Sequence, residues 1–151
     1  MPRLIALLVC LLAAGPLHAA RASDLLVIAN PAAGDVGPLS ANAVAAMYLL
    51  RVTAWPNGTH VVPVNRELGS PMRTDFTAIV LKQDLTTLAA YWNEMHFKGK
   101  VPPLIQPSEA AMLAFVQKVP GAVGYIDAAT APVGVKVIGR FPNPSSRTTQ
   151  P

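Results

Sequence analysis

Short apolar runs and amphipathic stretches take turns along most of the chain, and the spacing of the apolar positions separates strands from helices. Residues 25–29 (LLVIA) are apolar without interruption, as in a central strand. Asn30-Pro31 and Gly34 break the run, and a loop is expected to residue 38. Ser40 stands where a helix N-cap belongs, and Val44, Met47, Tyr48 and Leu50 form one side of a helix reaching about residue 50. Residues 51–59 read as a loop with a turn at Asn57-Gly58, in which Trp55 is expected to plug the gap between that helix and the sheet. The β-branched run 61–64 predicts the next strand. A helix follows over 70–81, with Ser70 as N-cap, Pro71 at its first position and an inner stripe of Phe76, Ile79 and Val80. Asp84 caps a helix over 85–95, and residues 97–103 read as a turn. Ser108, with Glu109 in the first turn, opens a helix that Pro120-Gly121 stops. Two strands, 122–126 and 133–138, complete the pattern, and residues 141–151 have the composition of a disordered tail. Strands alternating with helices make residues 23–140 a single α/β domain, a sheet flanked by helices.

The first 22 residues stand outside that pattern. Arg3, the apolar run 4–14, the Gly15-Pro16 break and the small residues around Ala20-Arg21-Ala22 have the layout of a secretory signal peptide cleaved near Ala22. The run is too short to span a bilayer comfortably, so a periplasmic or secreted protein with no membrane span after cleavage is expected. Cys10, the one cysteine, lies within this segment behind Val9 rather than behind a small residue, which argues against lipidation. The mature chain therefore has no thiol and makes no disulfide, so packing must hold it together. About 130 residues remain, enough for one core and not for two. Arg3 and Arg21 leave with the signal, so the excess of 12 basic over 8 acidic residues shrinks. With no basic run left, nucleic acid is not an expected partner.

The chemistry concentrates in residues 61–76, VVPVNRELGSPMRTDF. A strand, the short turn 65–69 and a helix start bring backbone N–H groups and a positive dipole end together, with Arg66 and Arg73 flanking them. That is one way to hold a small oxyanion. It is equally the layout of an ordinary strand–turn–helix connection with two solvated arginines. Elsewhere the chain offers little for catalysis. His60 and His96 lack partners at metal-ligand spacing, no H-E-x-x-H, G-x-S-x-G or Gly-rich phosphate loop occurs, and Ser70 has no evident histidine base. The carboxylates Glu67, Asp75, Asp84, Glu94 and Glu109 sit at helix starts or on polar faces, where capping accounts for them. Neither an enzyme nor a cofactor is expected.

The ordered series Asn30-Pro31, Leu39-Ser40, Met47-Tyr48-Leu49, Trp55-Pro56-Asn57-Gly58, the run 61–66, Gly69-Ser70, Phe76 and the run 121–125 (GAVGY) resembles one family. It is the phosphate-binding periplasmic proteins of ABC transporters, in particular their second lobe and its small stand-alone relatives. The resemblance implies a single lobe of the type II periplasmic-binding-protein-like fold, with a central mixed sheet. It also implies ligand roles. Arg66 matches the family's arginine and Ser70 its serine, both direct ligands, while Gly69 allows close approach. Pro71 and Met72 stand where the family has glycine and threonine, which removes one N–H and one hydroxyl donor. Arg73, one residue on, adds a guanidinium fork. The implied function is binding of phosphate or another small oxyanion, in a site that one lobe leaves open to water. The alternative is a protein-interaction or signalling module of the envelope, docking on another protein or on a second copy, that has lost the ligand.

Overall fold

A computed structural model describes residues 23–144 of the chain. The signal-peptide reading of 1–22 and the tail reading from 145 onward fall outside the described residues. Five strands form one mixed sheet in the order β3-β2-β4-β1-β5. They are β1 (Leu25–Ala29), β2 (Val62–Arg66), β3 (Leu104–Gln106), β4 (Ala122–Asp127) and β5 (Lys136–Phe141). β2 runs parallel to β3 and β4, whereas β1 is antiparallel to both β4 and β5. Four helices flank the sheet: α1 (Ala41–Tyr48), α2 (Pro71–Phe76), α3 (Leu85–Phe97) and α4 (Glu109–Lys118). The expected α/β lobe with a central mixed sheet is what forms.

The unbroken apolar run of β1 is fully buried because the strand has a neighbour on each side and helices over it. Next to it, Tyr48 from α1, Phe76 from α2 and Tyr125 from β4 meet in the core, Phe76 stacking on Tyr125 with centroids 4.0 Å apart. Trp55 is buried at the far end of the sheet, its Nε1 donating to Gly121 O at 2.9 Å. Gly121 is obligatory there, since its φ is +78° and a Cβ would lie 1.9 Å from the His60 carbonyl.

Three features depart from the sequence reading. β2 continues through Asn65 and Arg66, placed in the turn from sequence, because both pair with β3. β3 itself was not foreseen, as it is a three-residue edge strand with Leu104 and Ile105 exposed. The final strand is 136–141, not 133–138. A turn at Val133 and Gly134 (φ +71°) occupies the earlier residues, and pairing with β1 carries the strand to Phe141. The described structure then extends past the point where the tail was expected, and buried Asn143 donates to Asp75 at 2.8 Å. The helix over 70–81 forms, but beyond Phe76 it widens into a π-helix, Thr77–Leu81. The wider turn rotates the buried face, so Thr77 and Leu81 are buried beside Val80 while Ile79 is only half-buried.

Candidate oxyanion site

Because β2 and β4 are parallel, their carboxyl ends share one end of the sheet, with the starts of α2 and α4 beside them. The crevice outside such strand ends is where open α/β sheets bind ligands. Arg66 closes β2 at this end. Its backbone N–H donates to the Tyr125 hydroxyl at 3.0 Å and to Asn65 Oδ1 at 3.2 Å, and the Tyr125 hydroxyl donates to Asn65 Oδ1. Burial pushes the Tyr125 hydroxyl well above its ordinary value, so it remains a neutral donor. The strand end is thus fixed by a buried polar network.

The side chains follow from that anchor. The Arg66 guanidinium is not solvated. Its Nε and Nη2 donate to the two carboxylate oxygens of Glu67 at 2.9 and 3.0 Å, with side-chain exposures of 12% for Arg66 and 39% for Glu67. The Arg66 fork in turn holds the Glu67 carboxyl below the usual carboxylate range. Gly69 takes a φ of +88°, which turns the chain into the helix. Ser70 is the N-cap by position, buried, with its N–H on Glu67 O and its carbonyl accepting from Arg73 and Thr74, yet its hydroxyl makes no capping bond. Arg73 reaches back from α2, Nη1 donating to the Arg66 carbonyl at 2.8 Å. Its Nε is buried without a partner among the described residues.

Arg66, Gly69, Ser70 and Arg73 are therefore drawn into one turn, and Arg73 binds Arg66 directly. Met72 is half-buried against the core and contributes no donor. Three participants escaped the sequence reading: Asn65, Glu67 and Tyr125. Only Glu67 carried a local signal, an opposite charge directly after Arg66. The described residues contain no group of three or more His, Cys, Asp and Glu that could hold a metal ion. An apolar hollow of about 270 Å³ lined by Val36, Met47 and Trp55, among others, sits at the opposite end of the sheet and has no charge to offer an anion.

The fold matches one lobe of phosphate ABC transporter substrate-binding proteins. The chain has this fold in common with a protein from Clostridium perfringens described as a phosphate ABC transporter substrate-binding protein, solved with bound phosphate (TM-score 0.62, 21% identity, 78% of this chain and 46% of that one). It matches an ABC-type phosphate transport receptor from Vibrio cholerae comparably (TM-score 0.60, 20% identity, 78% and 47%). PstS from Borrelia burgdorferi matches over the same shares at TM-score 0.58 and 13% identity. The chain thus spans about half the length of the solved structures it matches. No protein-family model and no curated protein matches it. No helix among the described residues is long and apolar enough to cross a membrane.

Proposed function

We propose that this chain is an exported single-lobe binding protein for phosphate or a chemically similar small oxyanion, and not an enzyme. The observation that carries the reading is the 66–73 turn, where two guanidinium groups and an uncommitted N-cap hydroxyl converge on a strand end and a helix start. Arg66 and Ser70 act as direct ligands, Gly69 leaves room for close approach, and Arg73 adds charge. The bound phosphate in the Clostridium perfringens structure supports this ligand class for the fold. Binding is weak, because an open lobe leaves the charged hydrogen bonds exposed to water. A thermal melt of the purified protein tests it: phosphate raises the melting temperature by mass action, and Arg66→Ala removes the rise without unfolding the protein. An unchanged response in Arg66→Ala sinks the assignment.

A second reading has its own observations. Glu67 already occupies the Arg66 fork, Pro71 offers no N–H, and the exposed apolar residues Phe97, Val101, Leu104 and Ile105 gather on and before the edge strand β3. They favour a lobe that docks on an envelope protein or a second copy. This reading predicts no anion response, together with self-association or capture of a defined partner.

A further inference from the structure

The Arg66–Glu67 pair has a consequence for how the site is loaded. A guanidinium grips a carboxylate or a tetrahedral oxyanion through the same side-on fork, two parallel N–H···O bonds. Here that fork, Nε and Nη2, is taken by the two oxygens of Glu67. We propose that Glu67 is a built-in counter-anion, and that a free tetrahedral oxyanion enters the site by displacing its carboxylate from Arg66. The inference rests on the reading of Arg66 as an anion ligand.

Three observations carry it. Arg66 is largely buried, so without an anion its charge needs a partner, and Glu67 is placed to be one. Glu67 itself is partly exposed, at 39%, so its carboxylate can swing into water at little cost, as exposed ion pairs are weak. And Glu67 is neighbour to both the fork and the Gly69-Ser70 turn, where an incoming anion would meet it. Tethered one residue away, the carboxylate competes at an effective concentration of roughly millimolar or above. Glu67 therefore sets the threshold of the site: ligand below that range leaves the internal pair in place.

Calorimetric titration of the full chain with inorganic phosphate and with sulfate, at about pH 7, tests this in wild type, Glu67→Gln and Arg66→Ala/Glu67→Gln. The expected result is that Glu67→Gln binds both anions about tenfold more tightly than wild type, and that the double variant loses the gain. Equal or weaker binding by Glu67→Gln, with wild type still binding, overturns the displacement and leaves the oxyanion reading standing; Glu67 then orients Arg66 instead of competing for it. No binding by any of the three overturns both. If Glu67→Gln fails to fold, Glu67→Asp, whose arm is one methylene shorter and so holds the Arg66 fork less well, replaces it with the same expected direction.

Discussion

Tyr48 and Tyr125 bring two phenol hydroxyls into the core, and burial holds both above the ordinary tyrosine value of 10.0. Tyr48 donates to the carbonyls of Val64 and Val123, and Tyr125 serves Asn65 and the Arg66 N–H, so both are needed neutral. A group whose folded pKa lies above its unfolded value adds stability that is complete below the unfolded value and is lost as pH rises toward the folded one. Stability from these tyrosines is therefore flat below pH 10.0 and falls above it, by at most about 1.4 kcal/mol per pH unit for each. Denaturant unfolding between about pH 8 and 11 checks this, and Tyr125→Phe should show a shallower alkaline decline than wild type. Tyr125 also marks a limit of sequence reasoning. Arg66, Gly69 and Ser70 are legible because their order along the chain is local, whereas Tyr125 reaches the Arg66 N–H from 59 positions away. Only the β2–β4 pairing brings it there.

Helix starts give the clearest link between sequence and element. Ser40, Asp84 and Ser108 each accept a hydrogen bond from the N–H three residues on, at 3.2, 2.7 and 3.0 Å. Replacing any of the three by alanine should lower stability by about 1 kcal/mol. Ser70 occupies the same position at α2 without such a bond, so Ser70→Ala should cost less stability than any of those three. If its hydroxyl is reserved for a ligand, the same variant loses its response to phosphate; the two readouts are taken from one set of melts. Caps were legible because they are decided within four residues. The position of β5 was not, because it is decided by pairing with β1 across a register shift between Val27 and Ile28. β3 was hidden for a related reason: its three residues bury no stripe of their own and become a strand only by pairing with β2.

At the scale of the whole lobe, burial is uneven. β1 is buried along its entire length between two partners, while β3 is an exposed edge and α3 buries only Leu88. Native-state hydrogen exchange should therefore find the β1 and β4 amides opening only with global unfolding. Those of β3 and the outer face of α3 should exchange at least about a hundredfold faster. Equal protection across the sheet would show that the edge is covered in solution, which is what the docking reading requires. The pairing of β1 with β5 has one more effect. Leu25 and Phe141 stand opposite each other in adjacent strands, so the backbone enters and leaves the sheet about 5 Å apart. A host protein interrupted at a surface loop by residues 25–141 would have its two cut ends held as near as those of a hairpin, at little loss of chain entropy. Such an insertion would need a single junction, and that junction leaves the sheet at the same end as the 66–73 turn.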